Sequence, residues 1–391
     1  MAKNENGATR GRNARIVPVA PPYLLRPAPI GDNATLRALP CGENTVKPSA
    51  DSPEELPSRD TLRRALREVR ISVTDRCNFR CIYCMPRAHF GKNHRFLSHA
   101  DVLRFEEIAR LARILRGMGV GKIRITGGEP LLRRDVDQLI AQLAQIDGLD
   151  LALTTNGVLL PRLAARLYAA GLARVTVSLD ALDEAIFQRM SDTTMSVRDV
   201  LAGIDAAAAA GLHVKVNTVV RRGCNDGEIV PLARYFRGTG HILRFIEFMD
   251  AGTTNGWNRA QVMSAQEMLA QVQAVFALHA LPPNHAGETA RRYAYQDGAG
   301  EIGVIASVTQ PFCEQCTRLR ITTDGRLYTC LFAEDGADIR ALLRAGQTDA
   351  ALRERIANVW RARADRYSML RSAQAPLAQN ALRAGMSYLG G

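Results

Sequence analysis

From residue 69 onward, six short β-branched runs, at 69–74, 122–126, 150–155, 174–179, 213–219 and 243–248, alternate with amphipathic stretches near 100–116, 135–145, 161–170, 197–210 and 226–236. Such alternation is the signature of successive βα units on a parallel sheet. The distinctive residues fall just after the strands: a cysteine run, Gly-Gly-Glu-Pro at 127–130, Thr155-Asn156-Gly157, Ser178-Leu179-Asp180, Asn217 and Met249-Asp250. Barrel-like α/β folds build their active sites at that strand end. Six strands predict an open (β/α)6 partial TIM barrel rather than a closed eight-stranded one, and no G-x-G-x-x-G follows the first strand to favour a doubly wound sheet. Residues 1–60, rich in Pro, Asn, Ala and Arg and without periodicity, read as a disordered leader. The barrel core is expected over 61–260. A smaller α+β region is expected over 261–391, with a helix near 264–278, a Pro-Pro turn at 282–283 and a hairpin around 323–326.

The cysteine run is Cys77-Asn-Phe-Arg-Cys81-Ile-Tyr83-Cys84-Met-Pro86, a C-x3-C-x2-C spacing that offers three thiolates and no fourth. A cubane cluster held by three cysteines keeps one iron open, and an open metal position implies chemistry. Zinc knuckles pair C-x2-C units and fit the C-x3-C element poorly; a local disulfide is strained at this spacing, and nothing suggests secretion. A second trio, Cys313, Cys316 and Cys330, forms C-x2-C-x13-C. By spacing alone a zinc ribbon and a second cluster both suit it. Cys224 is then the spare candidate for a fourth ligand, whereas Cys41 sits alone in the leader.

The formal net charge of +12 makes an anionic partner plausible. Basic residues such as Arg104, Arg110, Arg113 and Arg116 are spaced along a helix as a solvated face would be, and no aromatic-interleaved basic stripe signals nucleic acid. A small polyphosphate needs only a few convergent Arg and Lys. No apolar run reaches the roughly 20 residues of a membrane span, and the N-terminus lacks a secretory signal, so the expected location is the cytoplasm.

The cluster loop resembles that of the radical S-adenosylmethionine (SAM) enzymes, in which the open iron binds SAM and one electron cleaves it to a 5′-deoxyadenosyl radical. Taken with Arg70-Ile-Ser-Val-Thr-Asp-Arg76, Arg124-Ile-Thr-Gly-Gly-Glu-Pro-Leu131, Thr154-Thr-Asn-Gly157, Val177-Ser-Leu-Asp180, the second trio and the terminal Gly390-Gly391, the chain is similar to the GTP 3′,8-cyclases of molybdenum-cofactor biosynthesis. The resemblance covers residues 70–391. It implies two [4Fe-4S] clusters, on Cys77, Cys81 and Cys84 and on Cys313, Cys316 and Cys330, the second binding the guanine base. It implies SAM contacts at Tyr83, Gly128, Ser178 and Met249, GTP contacts at Arg70, Arg124, Thr155, Lys215, Arg318 and Arg320, and a tail, Gly390 and Gly391, that supports catalysis. A terminal Gly pair read without the resemblance is a frayed end. The resemblance further implies a one-electron reductant, a homodimer, and cyclic pyranopterin monophosphate synthase as the next enzyme. Neither a membrane nor a nucleic acid is an expected partner.

Overall fold

A computed structural model of the chain describes residues 58–252, 254–371 and 383–390, all within the unit Glu54–Gly391. Most of the predicted leader, Cys41 and Gly391 lie outside the described residues.

Six parallel strands, β1 (Glu68–Ser72), β2 (Lys122–Thr126), β3 (Asp150–Thr155), β4 (Arg174–Ser178), β5 (His213–Val220) and β6 (Ile242–Glu247), run side by side in chain order. Helices α1 (Phe105–Gly117), α2 (Val136–Ala144), α3 (Leu160–Ala169), α4 (Glu184–Ser191), α5 (Val197–Ala209) and α6 (Ile229–Phe236) make the crossovers. This is the open (β/α)6 partial barrel. The sequence reading has no counterpart for α4, whose eight residues are too short for a clear helical period; Asp183 starts it by accepting from the Ile186 N–H (2.9 Å).

Alternation places the two strand faces in different environments. Ile123 and Ile125 of β2 and Val214 and Val216 of β5 are buried in the core, while Lys122, Arg124, Lys215 and Asn217 are half-buried on the opposite face. The apolar set packs with Leu111 and Leu115 of α1, Leu139 and Leu143 of α2 and Leu167 of α3 into one core.

After α6 the chain extends the same sheet at both edges. Strand β9 (Glu301–Ile305) pairs parallel to β6 and carries β8 (Arg291–Tyr295) and β7 (Leu278–Leu281); β10 (Arg318–Ile321) pairs parallel to β1 and carries β11 (Arg326–Tyr328) and β12 (Ala337–Asp338). The predicted hairpin is the β10–β11 pair. Twelve strands thus form one sheet, and the region after residue 260 is hydrogen-bonded to the barrel rather than merely appended to it. Helix α7 (Ala265–Gln273), with a capping box between Ser264 and Glu267, falls inside the predicted 264–278 stretch. Helices α8 (Arg340–Arg344), α9 (Asp349–Arg361), α10 (Tyr367–Arg371) and α11 (Met386–Leu389) complete the described chain.

Asp60 shows how the second cysteine loop is held. Its carboxylate is buried and accepts from the Arg64 N–H (2.8 Å), from Arg64 Nε (2.5 Å) and from Arg363 Nη1 (3.4 Å). Arg64 in turn donates to Cys313 O and Arg363 to Cys316 O, each at 2.7 Å. Removing one member of a buried ion network leaves the others charged and unpaired. Asp60→Ala is therefore expected to lower the unfolding free energy by about 3–5 kcal/mol, read by chemical denaturation, whereas loss of an exposed pair such as Arg87–Asp192 should leave it nearly unchanged.

Candidate active site

One cavity of about 980 Å³ opens within the curve of the sheet, and it is lined by all six cysteines of the two trios together with Arg70, Tyr83, Arg124, Gly128, Thr155, Ser178, Lys215, Met249, Arg318 and Arg320. Fold topology thus gathers sixteen of the predicted site residues from nearly the whole described chain.

The first trio sits on the loop after β1. Three sets of contacts fix it. The Arg80 and Ile82 N–H groups donate to Ser191 O and Met190 O at the end of α4 (both 3.0 Å). The Gly128 and Glu129 N–H groups donate to Thr74 O and Arg76 O (both 2.8 Å). Tyr83 OH donates to Asp180 Oδ2 (2.7 Å), and Asp180 Oδ1 accepts from the Val219 N–H (2.9 Å). The Gly pair is explained by this packing: a Cβ on Gly127 would lie 2.4 Å from Thr74 O, and one on Gly128 2.4 Å from Arg76 O. Burial, and then the Glu129 carboxylate, pushes the Cys77 thiol up to about 11; burial and Cys77 push Cys84 up to about 12. Thiols this reluctant to ionise become thiolates when a cation replaces the proton, the condition a metal cluster supplies.

Glu129 is buried and accepts from the Leu131 N–H (2.9 Å), Thr155 Oγ1 (2.8 Å) and the Asn156 N–H (2.7 Å). Burial raises its carboxyl to about 7 in spite of those three donors. Thr155, read from sequence as a GTP contact, lines the cavity but has its hydroxyl proton committed to Glu129. Sequence reasoning placed Asp180 and Glu129 in distinctive strand-end motifs without naming either among the individual site residues.

At the other end of the strands lies a floor of cations. Register aligns Arg320, Arg70 and Arg124 across β10, β1 and β2, and aligns Arg318, Glu68 and Lys122 two residues earlier. Neighbouring strands are about 4.8 Å apart, and like charges at about 4 Å repel by roughly 4 kcal/mol at an effective dielectric of about 20. Burial, then Arg244 and Arg174, lowers Lys215 to about 8; burial, helped by Arg124 and opposed by Glu68, lowers Lys122 to about 8; burial, then Arg318, brings Arg320 to about 10. Glu68 is the carboxylate set among them: burial opposes its charge, yet Arg70 and Arg124 bring it to about 2. Arg124 also donates to Thr154 Oγ1 and Thr176 Oγ1, and the Nε atoms of Arg124 and Arg244 are buried without hydrogen-bond partners. Such a cluster lowers the stability of the empty protein and suits a ligand with several negative charges. Lys122, Arg174 and Arg244 were missed in the sequence, although Lys122 and Arg174 stand at alternate positions from Arg124 and Ser178 on their strands and Arg244 stands beside Asn217 in the register of β5 and β6.

The second trio lies on the loop before β10 and just after β11. Although burial opposes ionisation, Arg318 and Arg363 bring the Cys316 thiol down to about 6, whereas burial takes Cys330 up to about 11. Arg318 Nη2 is 3.4 Å from Cys316 Sγ and stacks on Phe312 at 5.0 Å. Cys224 does not line the cavity; it packs in the small apolar cluster of Tyr83, Met190 and Phe248, beside Cys81 and Cys84. The tail is seated rather than frayed: Leu389 is fully buried, Arg320 Nη1 donates to Leu389 O (3.1 Å) and Gly390 O (2.9 Å), and Ser72 Oγ donates to Tyr388 O (3.3 Å).

The model of the radical SAM superfamily matches residues 71–236, and that of the molybdenum cofactor synthesis C region matches residues 241–369. A GTP 3′,8-cyclase of Acidothermus cellulolyticus is 54% identical over 322 residues, covering 81% of this chain and 89% of that protein. The chain belongs to the GTP 3′,8-cyclase family. A family member from Staphylococcus aureus is 46% identical over 335 residues, covering 85% of this chain and 98% of its own length. Likeness in fold reaches further: the crystal structure of Streptococcus suis SuiB bound to S-adenosylmethionine superposes with a TM-score of 0.55 at 14% identity, over 84% of this chain and 73% of that one. The cavity of this cyclase-family chain therefore lies in a radical SAM fold.

Proposed function

We propose that the chain is a radical SAM GTP 3′,8-cyclase that converts GTP to (8S)-3′,8-cyclo-7,8-dihydroguanosine 5′-triphosphate, the first step of molybdenum-cofactor biosynthesis. One observation carries the reading to this substrate: a single cavity is lined by three free cysteines at one place, three at another and a half-buried cationic floor aligned by strand register. Cys77, Cys81 and Cys84 would hold the SAM-side [4Fe-4S] cluster, and Cys313, Cys316 and Cys330 a second. The chemistry such a cluster supplies with SAM is one-electron cleavage of the sulfonium, giving the radical that takes hydrogen from C3′ of the ribose.

The rest of the work falls to the chain's own side chains. Tyr83, Gly128, Ser178 and Met249 line the SAM side, with Gly128 allowing close backbone approach. Arg70, Arg124, Lys215, Arg318 and Arg320 would take the triphosphate, their mutual repulsion relieved as the phosphates bind; guanidinium forks match phosphate oxygens in pairs. Thr155 would act at the edge of that site, its hydroxyl oxygen already held by Glu129. Gly390 and Gly391 would close the cavity without side chains to obstruct the nucleotide. Because substrate is anchored at several points, C3′ and C8 of one GTP can be held in reacting geometry while water is excluded. A core over 61–260 and a GTP-binding region over 261–391 fit this division of labour, with a leader before them. No helix among the described residues is long and apolar enough to cross a membrane; a cytoplasmic homodimer using a one-electron reductant, and handing its product to cyclic pyranopterin monophosphate synthase, completes the proposal.

The test is isotopic. Anaerobic reconstitution with iron and sulfide, then SAM, dithionite and GTP deuterated at C3′, should yield deuterated 5′-deoxyadenosine and a GTP isomer by mass spectrometry. Undeuterated 5′-deoxyadenosine without the isomer would leave radical SAM chemistry standing and remove GTP as substrate.

A further inference from the structure

Directly after the first cysteine trio comes a surface that the reaction itself does not use. Residues 76–100 contain Arg76, Arg80, Arg87, Lys92 and Arg95 and not one Asp or Glu. The loop they form is built, not loose. Arg80 spans from the cysteine loop to it, donating from Nη1 to Cys77 O (2.7 Å) and from Nε to Phe90 O (2.9 Å). Phe90, His94 and Phe96 pack ring against ring in sequence, the first pair tilted and the second edge-on, with centroids 4.7 Å apart at each step, and Arg76 and Arg80 lie over Phe96 at 5.5 and 5.9 Å. Asp75 pins the far end by accepting from the Leu97 N–H (2.6 Å).

On this platform Lys92 and Arg95 are exposed and form no ion pair among the described residues. Besides Asp75, the acids that reach the loop are Asp192, which Arg87 neutralises with two hydrogen bonds of 2.9 Å, and Asp101, which accepts from Ser98 Oγ (2.6 Å) and pairs with Arg340 (3.2 Å). A fixed, exposed, uncompensated patch of one sign steers and orients partners of the other sign. Its position is informative too, because only the Arg80 guanidinium intervenes between the Cys77 carbonyl and the loop backbone.

We infer that the loop of residues 86–99 is the docking surface for an acidic one-electron carrier protein, which gives up one electron to the centre held by Cys77, Cys81 and Cys84 and leaves oxidised. The inference rests on the radical SAM reading of that trio. Electron-transfer encounters bury small areas and depend on charge for speed and orientation, which suits two unpaired cations on a rigid loop better than it suits an apolar interface.

The experiment pairs binding with kinetics on the cluster-replete protein, using an acidic plant-type ferredoxin of about −400 mV as probe. Lys92→Glu/Arg95→Glu should weaken ferredoxin binding by calorimetry at least ~10-fold, with Lys92→Gln/Arg95→Gln intermediate, and added salt should shrink the difference between wild type and variants. Ferredoxin-driven 5′-deoxyadenosine formation should fall in parallel while the dithionite-driven rate stays at the wild-type value. Unchanged binding, an equal loss with both donors, or a change in the variant's sedimentation without ferredoxin would each overturn the inference, the last by showing that a second copy of the chain covers the loop. Failure of wild type to cleave SAM with dithionite would instead remove the functional reading beneath it.

Discussion

Gly128→Ala is expected to reduce GTP cyclisation by at least ~100-fold and to lower the iron bound per chain, although the substitution adds a single methyl group. The new Cβ would stand 2.4 Å from Arg76 O and 2.7 Å from Arg76 C, both backbone atoms, so no side-chain rotation can relieve the contact. Either the Gly-Gly-Glu-Pro turn or the cysteine loop must move. If the turn moves, the Gly128-to-Thr74 and Glu129-to-Arg76 hydrogen bonds lengthen, and Glu129 is drawn from Thr155 and Asn156. If the loop moves, Cys77 leaves its position only one residue from the contact. Overpacking of this kind costs about 1–3 kcal/mol in stability, whereas a displacement of about 1 Å at a reacting centre can cost ~100-fold in rate; activity should therefore suffer far more than folding. Iron analysis, thermal unfolding and SAM cleavage on the same preparation would check this. Wild-type iron content with wild-type cleavage would show that the two loops do not position each other.

The same residues show what a sequence can and cannot reveal. Strands β2 and β3 begin and end where the β-branched runs do, because turns bound them sharply and one face is apolar throughout. Both cysteine trios were legible because ligand spacing is local. Lys122, Arg174 and Arg244 were not recognised, since a lysine or arginine on an alternating strand ordinarily faces solvent; only a sheet curved around a cavity puts that face inside. Nor could periodicity reveal that β10 pairs with β1. Some 250 residues separate these strands, yet their register places Arg320 beside Arg70 and joins two isolated motifs into one row of cations. Asp60 was assigned to the leader on composition, but its contacts with Arg64 and Arg363 are what tie down Cys313 and Cys316.

Gly390→Ala is expected to separate the two halves of the reaction, leaving SAM cleavage while reducing deuterium transfer from GTP and isomer formation at least ~100-fold. Gly390 has a φ of +67°, in the left-handed region that costs an L-residue about 1–2 kcal/mol. A Cβ there would also lie 2.2 Å from Thr126 Cγ2 and 2.7 Å from Ser72 Oγ, buried side chains on two adjacent strands, so either those side chains or the tail must move. Against this, the tail is held by the hydrogen bonds from Arg320 and Ser72 and by Tyr388 OH, which donates to the Asp324 carboxylate (2.7 Å to Oδ1). Each contributes about 1 kcal/mol net, so strain and clash together act against a hold of similar size and should displace the last residues from their seat. Displacement frees Arg320, a member of the aligned Arg320–Arg70–Arg124 row, to swing away from the position proposed for it in phosphate binding. The cysteine loop after β1 keeps its contacts with α4 and the Gly-Gly-Glu-Pro turn, and for that reason SAM cleavage should survive. Arg320→Gln should reproduce the pattern and weaken GTP binding as well. Equal loss of SAM cleavage and cyclisation in Gly390→Ala would mean that the tail supports the whole barrel rather than the nucleotide site, and cyclisation at the wild-type rate would mean that it supports neither.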